Sequence, residues 1–278
     1  METRMTEKSI LAAGLGLIGG SVAKALRAAG CLYIDGLDTN TKTLERALFD
    51  NVIDSVYSPN AKEYDIIICA LPHREIPSLY SQIKGSLKSG GIFAELSGLK
   101  SCVTRSLCSL MCEQHVLLSL HPMAGSEKTG YLNSDALLMQ GAPMILTPTG
   151  KTNETALEWA GFIAGALNCG ETITLCAKRH DEVIAAVSHL PHISALALWE
   201  TGKHSMRYAG GSFHSATRVA NLNAPLWAGL LIDNAEYLLD SLARFRRCLN
   251  ALEQAIRAKD AAALEKQICL MAKTGDMP

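Results

Sequence analysis

The chain has 278 residues, a formal net charge of −1, 48% hydrophobic residues and 19% charged residues. This length and composition predict a globular protein of two domains with ample apolar surface to bury. The near-neutral charge does not favour binding to nucleic acid or to an anionic membrane. The segment Met1–Lys8 is polar and lacks the apolar run of a secretion signal, so we expect a cytoplasmic protein.

Short apolar runs alternate with helical patterns through the first part of the chain. Strands are predicted at 9–13, 32–37, 65–71, 91–96, 116–120, 143–147 and 172–175, and helices at 19–29, 41–50, 76–87, 102–111 and 154–167. The run Asp65–Leu71 is almost continuously apolar, as in parallel strands covered on both faces. The alternation predicts an α/β fold with a doubly wound, Rossmann-type sheet.

The pattern changes near Lys178, after which only helices are predicted. One helix covers Arg179–Glu200, with a kink at Pro191, and an apolar stripe over Leu226–Lys259 predicts one long helix. Such a stripe favours an all-α dimerisation domain, and a self-contained bundle is the alternative. We therefore predict an α/β domain at residues 1–176 and a helical dimerisation domain at residues 177–278.

A glycine fingerprint, G-x-G-x-x-G at residues 14–19, follows the first predicted strand. Its glycines permit a tight turn, close approach of a pyrophosphate and packing of the helix on the strand. Asp38 ends the second strand, where it would bind ribose hydroxyls and repel a 2′-phosphate, which favours NAD over NADP. A helix-capping role for Asp38 is the alternative, although Asn40 or Thr41 fits that role better. The predicted cofactor-binding residues are Gly14, Leu15, Gly16, Leu17, Ile18, Gly19, Asp38, Leu71 and Pro72.

A second group of polar residues lies in or beside apolar segments. His121 follows a strand at the carboxyl edge of the sheet, where α/β proteins bind ligands. His189 and His192 are on one helical face, and Arg218 in an apolar segment favours contact with a carboxylate. Taken alone, each residue has a structural explanation as well. The nine cysteines include no C-x-x-C pair, and no metal site is predicted.

Five segments together resemble the prephenate dehydrogenase family, which comprises the prephenate, arogenate and cyclohexadienyl dehydrogenases of tyrosine biosynthesis. They are GLGLIGGS at 14–21, SGLK at 97–100, HPMAGSEKTG at 121–130, HDEVIAAVSHLPH at 180–192 and TRVA at 217–220, with Trp227 beyond the last. One departure is Phe213-His214-Ser215, where the family usually has Phe-Arg-Asp.

The resemblance implies an NAD-dependent oxidative decarboxylation of prephenate to 4-hydroxyphenylpyruvate by a homodimer. It makes residues 1–176 the dinucleotide-binding domain and residues 177–278 the helical substrate-binding and dimerisation domain. It assigns catalytic roles to three residues: His121 accepts the proton of the substrate hydroxyl, Ser97 orients His121 or that hydroxyl, and Lys100 supports the loop. Arg218 binds a substrate carboxylate. The predicted substrate site is completed by Ser126, Glu127, His189, His192 and Trp227. Because His121 must be neutral, activity should rise with pH through its titration, near an unperturbed value of ~6.5.

Three alternatives remain open. The substrate could be arogenate, or both compounds, although His192 suits the keto acid prephenate better than an ammonium. A β-hydroxyacid dehydrogenase would need a lysine-centred helix motif that neither Lys178 nor Lys203 provides. A non-catalytic NAD-binding regulator is disfavoured because Ser97, His121 and Arg218 are intact. The expected partner is a small-molecule substrate, with no nucleic acid and no membrane.

Overall fold

A computed structural model of the protein describes residues 5–125 and 128–272. Residues up to Asp181 together with Asn221–Asp233 form one compact unit, and Glu182–Ala220 together with the residues from Asn234 form another. The first unit thus extends slightly beyond residue 176 and includes a segment from later in the chain. The domain boundary between residues 176 and 177 stays a prediction.

One eight-stranded sheet organises the first unit. The strands are β1 Ser9–Ala13, β2 Tyr33–Leu37, β3 Ser55–Val56, β4 Tyr64–Cys69, β5 Leu87–Glu95, β6 Val116–Pro122, β7 Met144–Leu146 and β8 Thr172–Thr174. Their order is β3-β2-β1-β4-β5-β6-β7-β8, and all neighbours are parallel except β6 and β7. The direction of winding reverses between β1 and β4, which is the switch point where doubly wound sheets bind ligands.

Helices cover the sheet and make up the second unit. They are α1 Leu17–Ala28, α2 Thr41–Phe49, α3 Ile76–Ile83, α4 Ser101–Leu110, α5 Glu154–Ala166, α6 Ala177–Ile184, α7 Leu190–Gly202, α8 Gly211–Thr217, α9 Ala224–Asp233, α10 Ala235–Ala258 and α11 Ala261–Met271. No strand follows β8 within the described residues. The predicted fold, a doubly wound α/β domain followed by a helical domain, is confirmed.

Alternate side chains of the central strands fill two cores, one on each face of the sheet. In β4, Ile66 and Ile68 are buried in one core, while Ile67 and Cys69 are buried in the other. A strand with both faces covered has no solvent-facing positions for polar residues, which explains its continuous apolar run.

The prediction of one long helix over Leu226–Lys259 is wrong. The helix α9 ends at Asp233, and α10 begins at Ala235. Asn234 between them has φ −111° and ψ 22°, and its buried side chain lies 3.3 Å from Nδ1 of His189. Asparagine often leaves helical geometry because its side chain competes for backbone hydrogen bonds. The apolar spacing continues across the break and therefore could not indicate it.

The irregularity predicted at Pro191 takes the form of a π-helical turn, Ala185–His189, directly before α7. Proline has no N–H to donate and its ring crowds the preceding turn, so the backbone widens there.

One helical stretch, Ala177–Tyr208, is long and apolar enough to cross a membrane by length and composition alone. The π turn and Pro191 interrupt its regular helix. An apolar helix that packs against other protein passes the same test, so the stretch is weak evidence for a membrane span.

Candidate active site

The turn after β1 approaches β4 so closely that only glycine fits at two positions. Gly14 has φ +83°, and an added Cβ would lie 2.8 Å from Leu71 Cδ2 and 2.9 Å from the Ala70 carbonyl oxygen. An added Cβ at Gly19 would lie 1.9 Å from the carbonyl oxygen of Gly14. The start of α1 is therefore packed directly on the backbone of the turn.

The amino end of α1 is open at Gly16. This N-cap residue makes no side-chain capping bond, and an added Cβ would meet nothing within 4 Å. The backbone N–H groups of the first helical turn can therefore bind an anion, which the helix dipole also favours. A pyrophosphate group fits this position.

Asp38 follows β2, and its half-buried carboxylate borders the glycine turn. Its Oδ2 accepts from the Leu15 N–H and its Oδ1 from the Asn40 N–H, both at 2.8 Å. Each oxygen keeps a lone pair that a ribose hydroxyl could use. Asn40 caps α2 by accepting from the Lys42 N–H at 3.1 Å, so helix capping does not fall to Asp38. These residues fit a dinucleotide with free ribose hydroxyls.

Glu95, the last residue of β5, is the centre of a buried hydrogen-bond network. Its Oε1 accepts from Lys100 Nζ at 2.6 Å and from the Ser119 hydroxyl. Its Oε2 accepts from the Ser97 N–H at 2.9 Å and the Ser97 hydroxyl at 2.5 Å. The side chains of Lys100 and Glu95 are both 0% exposed. Burial lowers the pKa of the Lys100 ammonium, and the charge of Glu95 opposes that shift.

Lys100 also connects the network to the end of β6 and to the carboxylate of Asp181. Its Nζ donates to the carbonyl of Leu120, which directly precedes His121, at 2.7 Å. Its backbone N–H donates to Asp181 Oδ1 at 2.9 Å, and the Ser101 N–H donates to Asp181 Oδ2 at 2.8 Å. The backbone before His121 and the carboxylate of Asp181 are thus held by the same residue.

His180 lies between Asp181 and His121. Its Nδ1 is 2.7 Å from Asp181 Oδ1, and its Nε2 is 2.8 Å from His121 Nδ1. Burial lowers the pKa of His180, although the hydrogen bond to Asp181 opposes the shift. The half-buried ring of His121 at the end of β6 therefore has a buried histidine as its side-chain neighbour at Nδ1.

Gly98, in the β5–α4 loop, lies beside the Nε2 side of the His121 ring. An added Cβ at position 98 would lie 3.8 Å from His121 Nε2. The Ser97 hydroxyl binds Glu95 and lies 2.8 Å from the carbonyl oxygen of Leu99. The orienting role of Ser97 stays a prediction, and an effect on His121 would pass through Glu95 and Lys100.

The second unit holds three of the predicted substrate residues. His189 is buried, and His192 Nδ1 pairs with the Ser188 carbonyl at 2.7 Å. Burial and the positive charge of Arg218 lower the pKa of His192. Arg218 itself is exposed, in the short helical turn Arg218–Ala220.

The other three predicted substrate residues belong to the first part of the chain or to α9. Trp227 is half-buried on α9, within the first unit. Ser126 and Glu127 lie outside the described residues.

Sequence analysis missed two carboxylates of the site among the described residues, Glu95 and Asp181. A single acidic residue directly after the apolar run Ile92–Ala94 was the available signal for Glu95. Asp181 lies in the segment HDEVIAAVSHLPH, which indicated a resemblance but not a contact with the loop after β5.

Two family models match the chain, by description "Prephenate dehydrogenase, nucleotide-binding domain" over residues 22–166 and "Prephenate dehydrogenase, dimerization domain" over residues 176–269. The chain belongs to the prephenate dehydrogenase family. It is 32% identical to a cyclohexadienyl dehydrogenase of Zymomonas mobilis, over 91% of this chain and 90% of that protein. It is 31% identical to a prephenate dehydrogenase of Lactococcus lactis, over 93% of this chain and 74% of that protein.

The fold also matches a solved member of the prephenate dehydrogenase family. The structure of prephenate dehydrogenase from A. aeolicus, in complex with hydroxyphenyl propionate and NAD+, is 27% identical, has a TM-score of 0.86 and covers 97% of each chain. The chain is thus an NAD-dependent oxidoreductase of this family, and the prediction of NAD as cofactor is confirmed. The matched region begins at residue 22 and does not include the glycines of the turn. Their assignment to the cofactor site therefore depends on the local geometry described above.

Replacing Gly19 by Ala should weaken both the fold and NAD binding. The added Cβ would lie 1.9 Å from a backbone oxygen, so α1 must move away from the turn. We expect a loss of about 1–3 kcal/mol in the free energy of unfolding, as for other overpacked sites. Urea unfolding and titration of NAD by calorimetry measure the two effects. Gly161→Ala in α5 is the matched control, because nothing lies within 4 Å of its added Cβ. Equal behaviour of the two variants would contradict the prediction.

Replacing Lys100 by Met should destabilise the protein far more than replacing Lys88 by Met. The two lysines pair with carboxylates at 2.6 Å and 2.8 Å, but only the Lys100 pair is fully buried. Removing one partner of a buried pair costs about 3–5 kcal/mol, whereas an exposed pair contributes about 0–1 kcal/mol. Urea unfolding of both variants measures the difference. If Lys100→Met lowers the free energy of unfolding no more than Lys88→Met does, then the buried Glu95 carboxylate does not need Lys100 as its ion-pair partner.

Proposed function

We propose that the protein catalyses the NAD-dependent oxidative decarboxylation of prephenate to 4-hydroxyphenylpyruvate, a step of tyrosine biosynthesis. The observation that carries this proposal is the position of His121. The strands β1 and β6 belong to one sheet in which β1, β4, β5 and β6 are parallel, so their carboxyl ends share an edge. A histidine base and the glycine turn are therefore at the same edge of the sheet.

His121 would act as the general base through Nε2, since its Nδ1 is bonded to His180. NAD held at the glycine turn and Asp38 would supply the acceptor for the hydride of the ring carbon that bears the hydroxyl. His121 takes the hydroxyl proton as the C–O bond gains double-bond character. The bond between the ring and its carboxylate breaks, CO2 leaves, and the electron pair makes the ring aromatic. The resulting phenolate recovers a proton from His121, which restores the base.

The second unit supports prephenate as the substrate. Prephenate and arogenate differ in the side chain, which carries a keto group in prephenate and an ammonium in arogenate. His192 is kept neutral by burial and by the charge of Arg218, since both lower its pKa. A neutral imidazole beside a guanidinium suits a keto acid and disfavours a second cation. Arg218 is the proposed ligand of a substrate carboxylate.

A dual-specificity cyclohexadienyl dehydrogenase, which would also accept arogenate, is the second candidate. Its support is the relative of that name in Zymomonas mobilis, which is 32% identical to this chain.

The remaining sequence-predicted residues would position the loop of Ser97 or complete the substrate and NAD sites. Glu95 and Lys100 would keep the loop of Ser97 in position. The proposed substrate site also includes Ser126, Glu127, His189 and Trp227, and the proposed NAD site comprises Gly14, Leu15, Gly16, Leu17, Ile18, Gly19, Asp38, Leu71 and Pro72.

We also infer a cytoplasmic homodimer that associates through the helical unit. Large apolar side chains remain exposed on its last two helices: Leu239, Phe245, Leu249, Ile256, Ile268 and Leu270. Exposed apolar surface of this kind marks an interface. The family model that matches residues 176–269 is named for dimerization.

The proposed reaction is tested by following NADH formation optically with prephenate and with L-arogenate in parallel, and with NADP in place of NAD. We expect turnover of prephenate with NAD and little turnover of arogenate. His121→Asn is the matched inactive control, because loss of acid–base help lowers kcat by about 10²–10⁴-fold. Turnover of arogenate alone would overturn the substrate argument from His192. No turnover of either compound, with NAD still bound, would overturn the proposed function.

Replacing Arg218 by Ala should raise KM for prephenate much more than it lowers kcat. A hydrogen bond to a charged group contributes about 1.5–3 kcal/mol, which corresponds to an increase in KM of about 10–150-fold. Steady-state kinetics measure both constants. Arg207→Ala removes an exposed arginine of the same unit and should leave KM unchanged. A fall in kcat with unchanged KM in Arg218→Ala would exclude simple carboxylate binding.

A further inference from the structure

We propose that Asp181 and His180 are positioning residues that hold His121 in the tautomer whose Nε2 accepts a proton. This inference rests on the proposed function, because it concerns the base of that reaction. Neither residue needs to touch the substrate. Their effect would be transmitted through two consecutive hydrogen bonds, of 2.7 Å and 2.8 Å.

The direction of these hydrogen bonds follows from the carboxylate. An ionised carboxylate can only accept, so the Nδ1 of His180 must carry a proton. Neutral histidine has one proton on its ring, which leaves Nε2 of His180 as an acceptor. The Nδ1 of His121 must then donate to it. His121 in its neutral form consequently has its lone pair on Nε2, the nitrogen that faces Gly98.

Both residues of the relay are held in the ionisation states that this direction requires. Burial would raise the pKa of Asp181, but hydrogen bonds from His180, Ser101 and the backbone of Lys100 lower it overall. Burial lowers the pKa of His180 and keeps its imidazole neutral. Asp181 therefore stays charged and His180 stays neutral near pH 7.

The orientation of Asp181 is fixed independently of the histidines. Its two oxygens accept from consecutive N–H groups at the start of α4, those of Lys100 and Ser101. The residue is 4% exposed, and His180 is 0% exposed. The carboxylate thus cannot rotate without leaving buried N–H groups unpaired, which would cost about 1–3 kcal/mol for each group.

Among the described residues, the ionisable side chains around His180 include Asp181 beside it on α6, Lys100 at the start of α4, Glu95 at the end of β5 and His121 at the end of β6. The charge of Lys100 lowers the pKa of His180, while those of Asp181 and Glu95 raise it. A change at Asp181 therefore removes a negative charge from the relay and leaves the Glu95–Lys100 pair intact.

The chain contains a second His–Asp pair that serves as a matched control. His73 Nε2 lies 2.7 Å from Asp233 Oδ2, the same separation as between His180 and Asp181. The Nδ1 of His73 is buried without a hydrogen-bond partner among the described residues, so this pair leads to no second histidine. Asp233 also accepts two hydrogen bonds from Arg74, both at 2.6 Å. Asp233→Asn thus removes a carboxylate that pairs with a histidine outside the proposed relay.

The tautomer of His121 can be measured directly by ¹⁵N NMR of the imidazoles in the full chain, with His121→Asn to assign the signal. We expect a protonated Nδ1 and an unprotonated Nε2 in the parent protein above its titration. His180→Leu removes the acceptor and should shift His121 toward the Nε2-protonated form. His180→Gln keeps an acceptor oxygen and should retain the parent tautomer. An unchanged tautomer in His180→Leu, or a protonated Nε2 in the parent protein, would overturn the proposal.

Kinetics provide a second readout that a purely structural role would not move. His180→Leu should lower kcat by about 10²-fold or more, and His180→Gln by less than about 10-fold, with small changes in KM, as expected for loss of general-base help. Asp181→Asn should move the pH of half-maximal kcat downward. The negative charge of Asp181 favours the cationic form of the hydrogen-bonded imidazoles of His121 and His180, and this effect is lost in the variant. In a serine protease, an Asp→Asn exchange at the carboxylate that binds the catalytic histidine directly costs about 10⁴-fold in kcat by producing the wrong tautomer.

The control variant and the two measurements distinguish failure of the proposed relay from failure of the proposed function. Asp233→Asn should leave the pH of half-maximal kcat unchanged, and a shift equal to that of Asp181→Asn would contradict a specific relay. Equal kcat losses in His180→Leu and His180→Gln would also contradict it. If prephenate is not turned over at all, the proposed function fails, but the NMR experiment still decides whether His180 sets the tautomer of His121.

Discussion

The buried ion pair of Glu95 and Lys100 is the interaction on which the rest of the site depends. Moving two charges out of water is costly unless their remaining hydrogen-bonding groups are also satisfied. Here Glu95 accepts from Ser97 and Ser119 in addition to Lys100, and the Lys100 ammonium also donates to the Leu120 carbonyl. The pair therefore stabilises one arrangement of the ends of β5 and β6 and of the start of α4. His121 follows Leu120, so its backbone position comes from this arrangement.

Glu95 and Asp181 affect His121 in different ways because the two carboxylates accept from different donors. Glu95 is bound by an ammonium, two hydroxyls and a backbone N–H. Asp181 is bound by backbone N–H groups and by an imidazole. An imidazole can present either nitrogen as the acceptor, so the carboxylate that binds it decides which one. The first carboxylate fixes where His121 lies, and the second can fix how it is protonated.

The local features of this site could be predicted from sequence, whereas its long-range contacts could not. The glycine turn and Asp38 follow from a short pattern next to a strand, since the chemistry there is set by neighbouring backbone. The carboxylate of Asp181 meets the N–H groups of Lys100 and Ser101 some eighty residues earlier in the chain. That meeting depends on the folded topology, which no spacing along the chain indicates. The helix break at Asn234 was not predicted for a related reason. An apolar stripe indicates which residues are buried, but not whether the helix backbone is continuous.

Sheet topology also explains why phosphate binding and base chemistry can be on different strands. The glycine turn follows β1, and His121 ends β6, with β4 and β5 between them. Adjacent strands are about 4.8 Å apart, so three steps across the sheet separate the two sites by about 14 Å. A single phosphate group could not connect these sites, whereas an extended dinucleotide bound at the turn can reach across several strand ends. The parallel strands place both groups at one edge, and the buried pair at β5 and β6 keeps the distant end of that edge rigid. In the proposed reaction, the fold therefore separates cofactor recognition, which would use backbone and one carboxylate, from proton transfer, which would use a histidine of defined tautomer.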